Sequence, residues 1–425
     1  MYPVVKHYRY ASFLLISVLA LSLSGYPLVA SMTSLLGIEN RPVAIGFRLI
    51  LLLTSVFLIL AILANHVRIY RGWVWIPILV FWTLYVIRLW LDTKILSAPL
   101  SREPVEYWIW SIGCLIPMVA LMAKPDSVTS SRALGTVFWL TAAAVFLVLL
   151  ATRIGVVAGI SRTLETGRLE ISALNPISAG HLGGSLMLIA THLFLGQGST
   201  QRFATKRVMY LAFVLVGLIL LVVSGSRGAI GATAISVVIF SIAKLRRKGG
   251  GLAMVFIVLL AAGSYQLATF VEDQIGLLPI TRLVSGLSPE SDAGASNRFQ
   301  LAGDAWNQFA DAPAFGSGLE ELNSGDYPHN VIVESFMATG IIGGLAFTLV
   351  FVMAVLTSWR LLNSTSSQNW LAPLCIQYLV GAQFSGSLWG NTVMWALIGA
   401  TFGAYVPPGR KNRSAGFSLV QRKEA

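Results

Sequence analysis

The chain has 425 residues, of which 56% are hydrophobic and only 11% charged, and its mean hydropathy is +0.74. So few charges could not cover the surface of a soluble domain this large, so the composition excludes a water-soluble globular protein and makes lipid the solvent. The formal charge of +12 would suit a nucleic-acid binder by number alone, but the placement of the charges excludes that reading too.

A membrane-crossing helix needs roughly 20 apolar residues. From the N-terminus, twelve such runs occur, near 11–30, 43–63, 73–91, 105–123, 133–151, 173–195, 208–223, 228–243, 251–269, 331–357, 370–386 and 391–406. The first lacks a small-residue cleavage site and is followed by many others, so it reads as a retained span. The aromatic-rich stretch from Trp73 to Trp90 reads as interfacial belt and lipid-facing surface. The seventh and eighth runs are short and share the hairpin Ser224-Gly225-Ser226-Arg227-Gly228, which leaves an eleven-span reading open. The two cysteines, Cys114 and Cys375, sit inside apolar runs as small core residues, with no disulfide or metal spacing. The expected fold is an all-α polytopic membrane protein of about 12 transmembrane helices. Residues 1–269 form spans one to nine, 270–330 a large loop with short helices, 331–406 spans ten to twelve, and 407–425 a basic tail.

Charge counting orients these spans. With the N-terminus inside, the cytoplasmic segments hold 19 of the 30 Lys and Arg but only two of the 18 acids, Asp126 and Glu424. That asymmetry follows the positive-inside rule, puts both termini in the cytoplasm, and accounts for the basic composition without nucleic acid. Clusters such as Lys244-Leu245-Arg246-Arg247-Lys248 are then topology signals in contact with membrane lipid headgroups. The one long loop, 270–330, falls on the outer side, and loops of that length usually have a function.

Arginines gather at the same boundary. Arg48 begins the second span, Arg88 ends the third, and Arg153, Arg168, Arg227, Arg282 and Arg298 lie outside or at that edge. An unpaired arginine in lipid costs at least ~2.5 kcal/mol, so an acid, a water-filled cavity or an anionic ligand should meet Arg48 and Arg88; Glu39 and Asp92 are the nearby acids. Guanidinium forks match phosphate oxygens and keep their charge, so a lipid-linked diphosphate suits the set. Arg227 is the strongest candidate, flanked by Gly225 and Gly228 in a tight turn at a helix N-terminus. His329, in Tyr327-Pro328-His329-Asn330, sits where the long loop meets the tenth span, and an imidazole there can take a proton near neutral pH. His181 is a second, weaker histidine candidate. Glu290-Ser291-Asp292 is a poor cation motif, and nucleotide fingerprints and zinc spacings are absent, so neither metal nor cofactor is expected.

Two segments carry a resemblance. Ser224-Gly225-Ser226-Arg227-Gly228-Ala229 is followed by Pro313-Ala314-Phe315-Gly316-Ser317-Gly318, then Pro328-His329-Asn330, Glu334 and Gly340-Ile341-Ile342-Gly343. In that order they resemble the O-antigen ligase and O-antigen polymerase superfamily of bacterial envelope glycan transferases, most clearly over about residues 210–350. The resemblance implies a Gram-negative inner-membrane enzyme whose large loop, between spans 9 and 10, is periplasmic. It implies metal-independent, inverting transfer of a glycan from undecaprenyl diphosphate to a sugar hydroxyl. The acceptor is lipid A–core for a ligase, the favoured reading, or another lipid-linked glycan for a polymerase. Arg227 and His329 match the family's functional arginine and histidine; its long-loop arginine corresponds to Arg282 or Arg298. Together, residues and resemblance expect His329 to prepare the acceptor, with Arg227 clamping the diphosphate aided by Arg48, Arg88 or Arg168. One departure is Pro328, where many ligases carry a further histidine. A lipid-linked glycan flippase or other transporter using the same arginines is the competing class, although charged transporter sites more often lie near the bilayer midplane.

Overall fold

The computed structural model describes residues 3–65, 67, 69, 72–96, 100–157, 174–196, 202–245 and 293–405. The expected ninth span, Glu290-Ser291-Asp292, Arg168 and Arg282 lie outside the described residues. The described chain is helical: α1 (Pro3–Ala20), α2 (Tyr26–Leu36), α3 (Asn40–Ala64), α4 (Trp75–Trp90), α5 (Pro104–Leu121), α6 (Ser127–Val157), α7 (Pro176–Gly196), α8 (Arg202–Val223), α9 (Arg227–Leu245), α10 (Ala293–Asp311), α11 (Val331–Leu362), α12 (Leu371–Gly381) and α13 (Thr392–Ala404). A π-helical turn, Leu21–Gly25, joins α1 to α2, and another, Leu91–Ile95, extends α4.

Among the described residues, nine helical stretches are long and apolar enough to cross a membrane, so this is a polytopic membrane protein. Two of the nine, Thr205–Val223 and Arg227–Lys244, are the expected seventh and eighth spans. They are two separate helices of 19 and 18 residues. The last two expected spans are shorter than predicted: α12 and α13 are apolar but cover only Leu371–Gly381 and Thr392–Ala404. Between them the chain leaves the helix at 382–391, where Gly386 turns with φ +93°.

Trp73 to Trp90 is only partly the lipid-facing belt expected of it. Trp73, Ile76, Leu79, Ile87 and Trp90 are exposed, whereas Ile78, Phe81, Trp82, Tyr85 and Leu89 are buried. The buried set follows helical spacing on one face. It meets α11 and α13, with Phe81 5.1 Å from Phe347 and Trp82 4.9 Å from Trp395, ring centre to ring centre. Helix–helix packing claims these aromatics, which composition alone could not separate from a membrane belt.

The described end of the long loop is a folded strap. Helix α10 contains the expected helix-like stretch around Arg298–Trp306 and lies against α11, with Phe309 and Trp306 packing on Phe336 at 5.3 and 5.8 Å. Residues 312–330 are tied to the bundle by buried polar groups. Glu320 accepts from the Ser101 N–H (2.7 Å), the Ser101 hydroxyl (2.8 Å) and the Tyr107 hydroxyl. Asp92 accepts from the Leu319 N–H at 2.8 Å and pairs with Arg88 at 3.3 Å.

Arg88 is the central pin. Its buried guanidinium donates to the carbonyls of Ala338 (3.0 Å), Phe315 (3.0 Å), Gly316 (2.7 Å) and Ser317 (3.3 Å). With those donors and Asp92 engaged, it joins α4, the strap and α11, an arrangement that does not suit the diphosphate contact expected of it. A lysine has one point charge and no planar fork. Arg88→Lys is therefore expected to leave several buried carbonyls unmatched and cost about 1–3 kcal/mol, read as a lower melting temperature in detergent.

Pro313-Ala314-Phe315-Gly316 meets the break in α11. Gly340 leaves helical geometry at φ 67°, ψ −168°. The Ile341 N–H donates to Pro313 O at 2.8 Å, and the Ser317 N–H to Met337 O at 2.9 Å. Gly316 and Gly340 both have positive φ, and each takes the other segment's backbone into the space a Cβ would fill. The two glycine motifs of the resemblance thus form one contact.

Candidate functional site

Helix α11 begins at a strong cap: Asn330 Oδ1 accepts from the Ile332 and Val333 N–H groups, both at 3.1 Å. The residue before the cap, His329, adopts φ +57° and is the one positive-φ residue other than glycine among the described residues. Strained backbone of this kind clusters at functional sites. The imidazole is half-buried, packs against Tyr327 at 4.4 Å between ring centres, and has no hydrogen-bond partner at its buried Nδ1. Burial, then the neighbouring positive charge of Arg298, hold it below its ordinary pKa, with Asp326 opposing them. A neutral imidazole at neutral pH is in the form that accepts a proton. Burial pushes the Tyr327 phenol up to about 12, so it stays protonated.

The segment after α12 draws three helix ends to this histidine. The Val331 N–H donates to Ala382 O (3.3 Å), Asn330 Nδ2 to Gln383 O (3.3 Å) and Arg298 Nη1 to Phe384 O (3.2 Å). Gly228, one residue past Arg227, lies against the same Phe384: a Cβ there would be 3.3 Å from the Phe384 Cβ. Behind it, the fully buried Glu334 accepts the Leu388 N–H at 2.9–3.0 Å on both oxygens, fixing this segment to α11. The start of α9 with Arg227, α10 with Arg298 and the start of α11 with His329 therefore converge on Gln383 and Phe384.

Next to this convergence is a cavity of about 790 Å3. Its wall includes Tyr327 and residues 385–387 and 389–393. Arg48 and His181 line it as well; Arg227 and His329 are not among its lining residues. Glu39 is not the partner of Arg48. The guanidinium carbon lies 3.7 Å from the Trp110 ring centre and 5.3 Å from that of Tyr26, and Nη1 donates to Ala44 O at 3.2 Å. His181 stacks on Tyr378 at 5.1 Å.

Sequence reasoning missed Arg102. It also lines the cavity and lies over the same Trp110 ring at 4.6 Å. Its spacing to Glu106, with which it pairs at 3.5 Å, is that of an ordinary helical ion pair and carries no signal of a site. Among the described residues, no group of three or more His, Cys, Asp or Glu side chains is placed to hold a metal ion.

Helices of this length around polar groups gathered at their ends define a polytopic membrane protein with a site between helix termini. Residues 211–348 match the family model described as O-Antigen ligase. The match takes in the hairpin at Arg227, α10 with Arg298, the strap, His329 and the break in α11. A search of curated proteins gave no match.

Proposed function

We propose that the protein is an O-antigen ligase-type glycosyltransferase of the bacterial inner membrane, with cytoplasmic termini and an outward-facing site. It moves a glycan from undecaprenyl diphosphate to a sugar hydroxyl of lipid A–core. The observation that carries this reading is that Gly228 beside Arg227, Arg298 itself and Asn330 beside His329 each meet Gln383 or Phe384, with all three elements inside the family match. His329 takes the proton of the acceptor hydroxyl as its oxygen bonds to the first carbon of the donor sugar. The bond from that carbon to the diphosphate oxygen breaks with inversion, and its electron pair leaves with the diphosphate. Arg227 and Arg298 stabilise the growing negative charge, commonly the largest catalytic contribution. No step calls on a metal or cofactor.

Arg227→Ala is expected to reach the membrane in normal amounts yet transfer glycan about 10²–10³-fold more slowly, the loss typical of removing one charge-stabilising donor. Purified protein given lipid-linked glycan alone should leave it unchanged, with product forming once lipid A–core is added. Elongation of the lipid-linked glycan without lipid A–core would make the protein a polymerase using the same chemistry. Transbilayer movement of the lipid with no new linkage would overturn the enzyme reading.

A further inference from the structure

The cavity beside the proposed catalytic groups holds more positive charge than its surroundings balance. Arg48 and Arg102 both lie over Trp110, at 3.7 and 4.6 Å from the ring centre. Glu106, which pairs with Arg102 at 3.5 Å, is already engaged by Arg41 at 2.7 Å. Arg48 has only the Ala44 carbonyl and aromatic faces, and no described carboxylate lines the cavity. Two like charges held at one ring repel each other, increasingly so away from bulk water, and a bound anion would relieve that repulsion.

The rest of the lining has a different chemistry. Asn175, Ser178, Ser385, Ser387 and Asn391 supply amides and hydroxyls, and Trp389 and Tyr327 supply aromatic rings. Two lining side chains that are more than nine-tenths buried have a polar atom without a hydrogen-bond partner: Trp389 Nε1, at 2% exposure, and His181 Nδ1, at 8%. Flat apolar surface, amides and hydroxyls together match a sugar, which has apolar ring faces and a rim of hydroxyl groups. A diphosphate alone would use the arginines and leave the aromatic wall idle. The volume of about 790 Å3 falls within the range of small-molecule sites, ~300–1,000 Å3.

We propose that this cavity binds an acidic sugar residue of the substrate glycan, a uronate or a phosphosugar, with Arg48 and Arg102 meeting its negative group. The proposal rests on the glycan-transfer reading and adds a substrate class to it. Arg48 and Arg102 become specificity-determining residues, separate from the groups that act on the transferred bond.

Tryptophan fluorescence tests it, because Trp110 and Trp389 line the cavity. Purified full-length protein in nanodiscs is titrated with a glucuronate-bearing oligosaccharide, its neutral counterpart or inorganic pyrophosphate. The acidic oligosaccharide should quench saturably and bind at least ~10-fold more tightly than the neutral one, the scale of one charged hydrogen bond. Arg48→Gln and Arg102→Gln should each weaken it by a similar factor. Arg48→Lys, which keeps the charge, should stay within a few-fold of wild type and shows that the Gln result is not misfolding. Equal binding of the neutral sugar overturns the proposal, as does indifference to both arginine substitutions. Tighter binding of pyrophosphate through Arg48 also overturns it, by assigning the arginines to the donor headgroup. Because no donor lipid is present, binding is read apart from turnover. Absence of acidic-sugar binding in wild-type protein that transfers glycan sinks this proposal alone. Acidic-sugar binding by a wild-type protein that transfers nothing sinks the glycan-transfer reading and leaves the subsite standing.

Discussion

His329→Asn is expected to lower glycan transfer about 10²–10⁴-fold, the usual worth of a general base, while the protein stays folded. Asparagine tolerates the left-handed backbone that this position adopts, so the substitution removes the imidazole without adding strain; alanine would do both. The pH profile gives a second readout. Burial and Arg298 pull the His329 pKa below its ordinary value of 6.5, so the neutral, proton-accepting form prevails at neutral pH. Wild-type kcat/KM should therefore hold steady as pH falls from 8 to about 6.5 and decline only below that, as the imidazole protonates. The residual activity of His329→Asn should lack that decline. Near-wild-type turnover in the asparagine variant would remove His329 from the chemistry and leave it a turn residue.

The larger structural effect is expected at the contact between the strap and α11. Gly340→Val should give no monodisperse protein after extraction. A Cβ at position 340 would fall 2.6 Å from the Ala314 carbonyl carbon, and one at position 316 would fall 2.7 Å from the Ala338 carbonyl carbon. Backbone lies on both sides, so no side chain can swing away, and φ +67° at Gly340 is hostile to valine. Gly325 is the control: its φ is +65°, yet nothing lies within 4 Å of where a Cβ would be. Gly325→Asn should express and elute like wild type. If Gly340→Val also did so, the break in α11 would not be needed to seat the strap.

The pattern of apolar runs made nine of the expected spans readable because each helix needs about the same apolar length and turn residues mark its ends. The start of α11 was readable for the same reason: Pro328 and Asn330 are chemistry a helix cap uses, and Asn330 makes the two expected bonds. Arg88 shows where such reading ends. The need for a negative partner was visible, and Asp92 supplies it, but nothing local reveals that carbonyls over 200 positions away would take its remaining donors. Arg48 and Arg102 are alike: their shared ring is set by how α3 and α5 cross, not by any spacing along the chain. Tyr85 and Trp82 could not be told from lipid-facing aromatics until the partners α11 and α13 were in place.

The broken helix has a further meaning for the proposed reaction. From Ile341 to Leu362 the helix rises ~33 Å at 1.5 Å per residue, which already matches the full oily thickness of a bilayer. The turns from Val331 to Thr339 are thus surplus to the length a crossing needs, and the break at Gly340 sets them off from the spanning stretch. With bond exchange at His329, ahead of those turns, the receiving glycan need carry no lipid of its own, so a water-soluble core oligosaccharide should serve as acceptor.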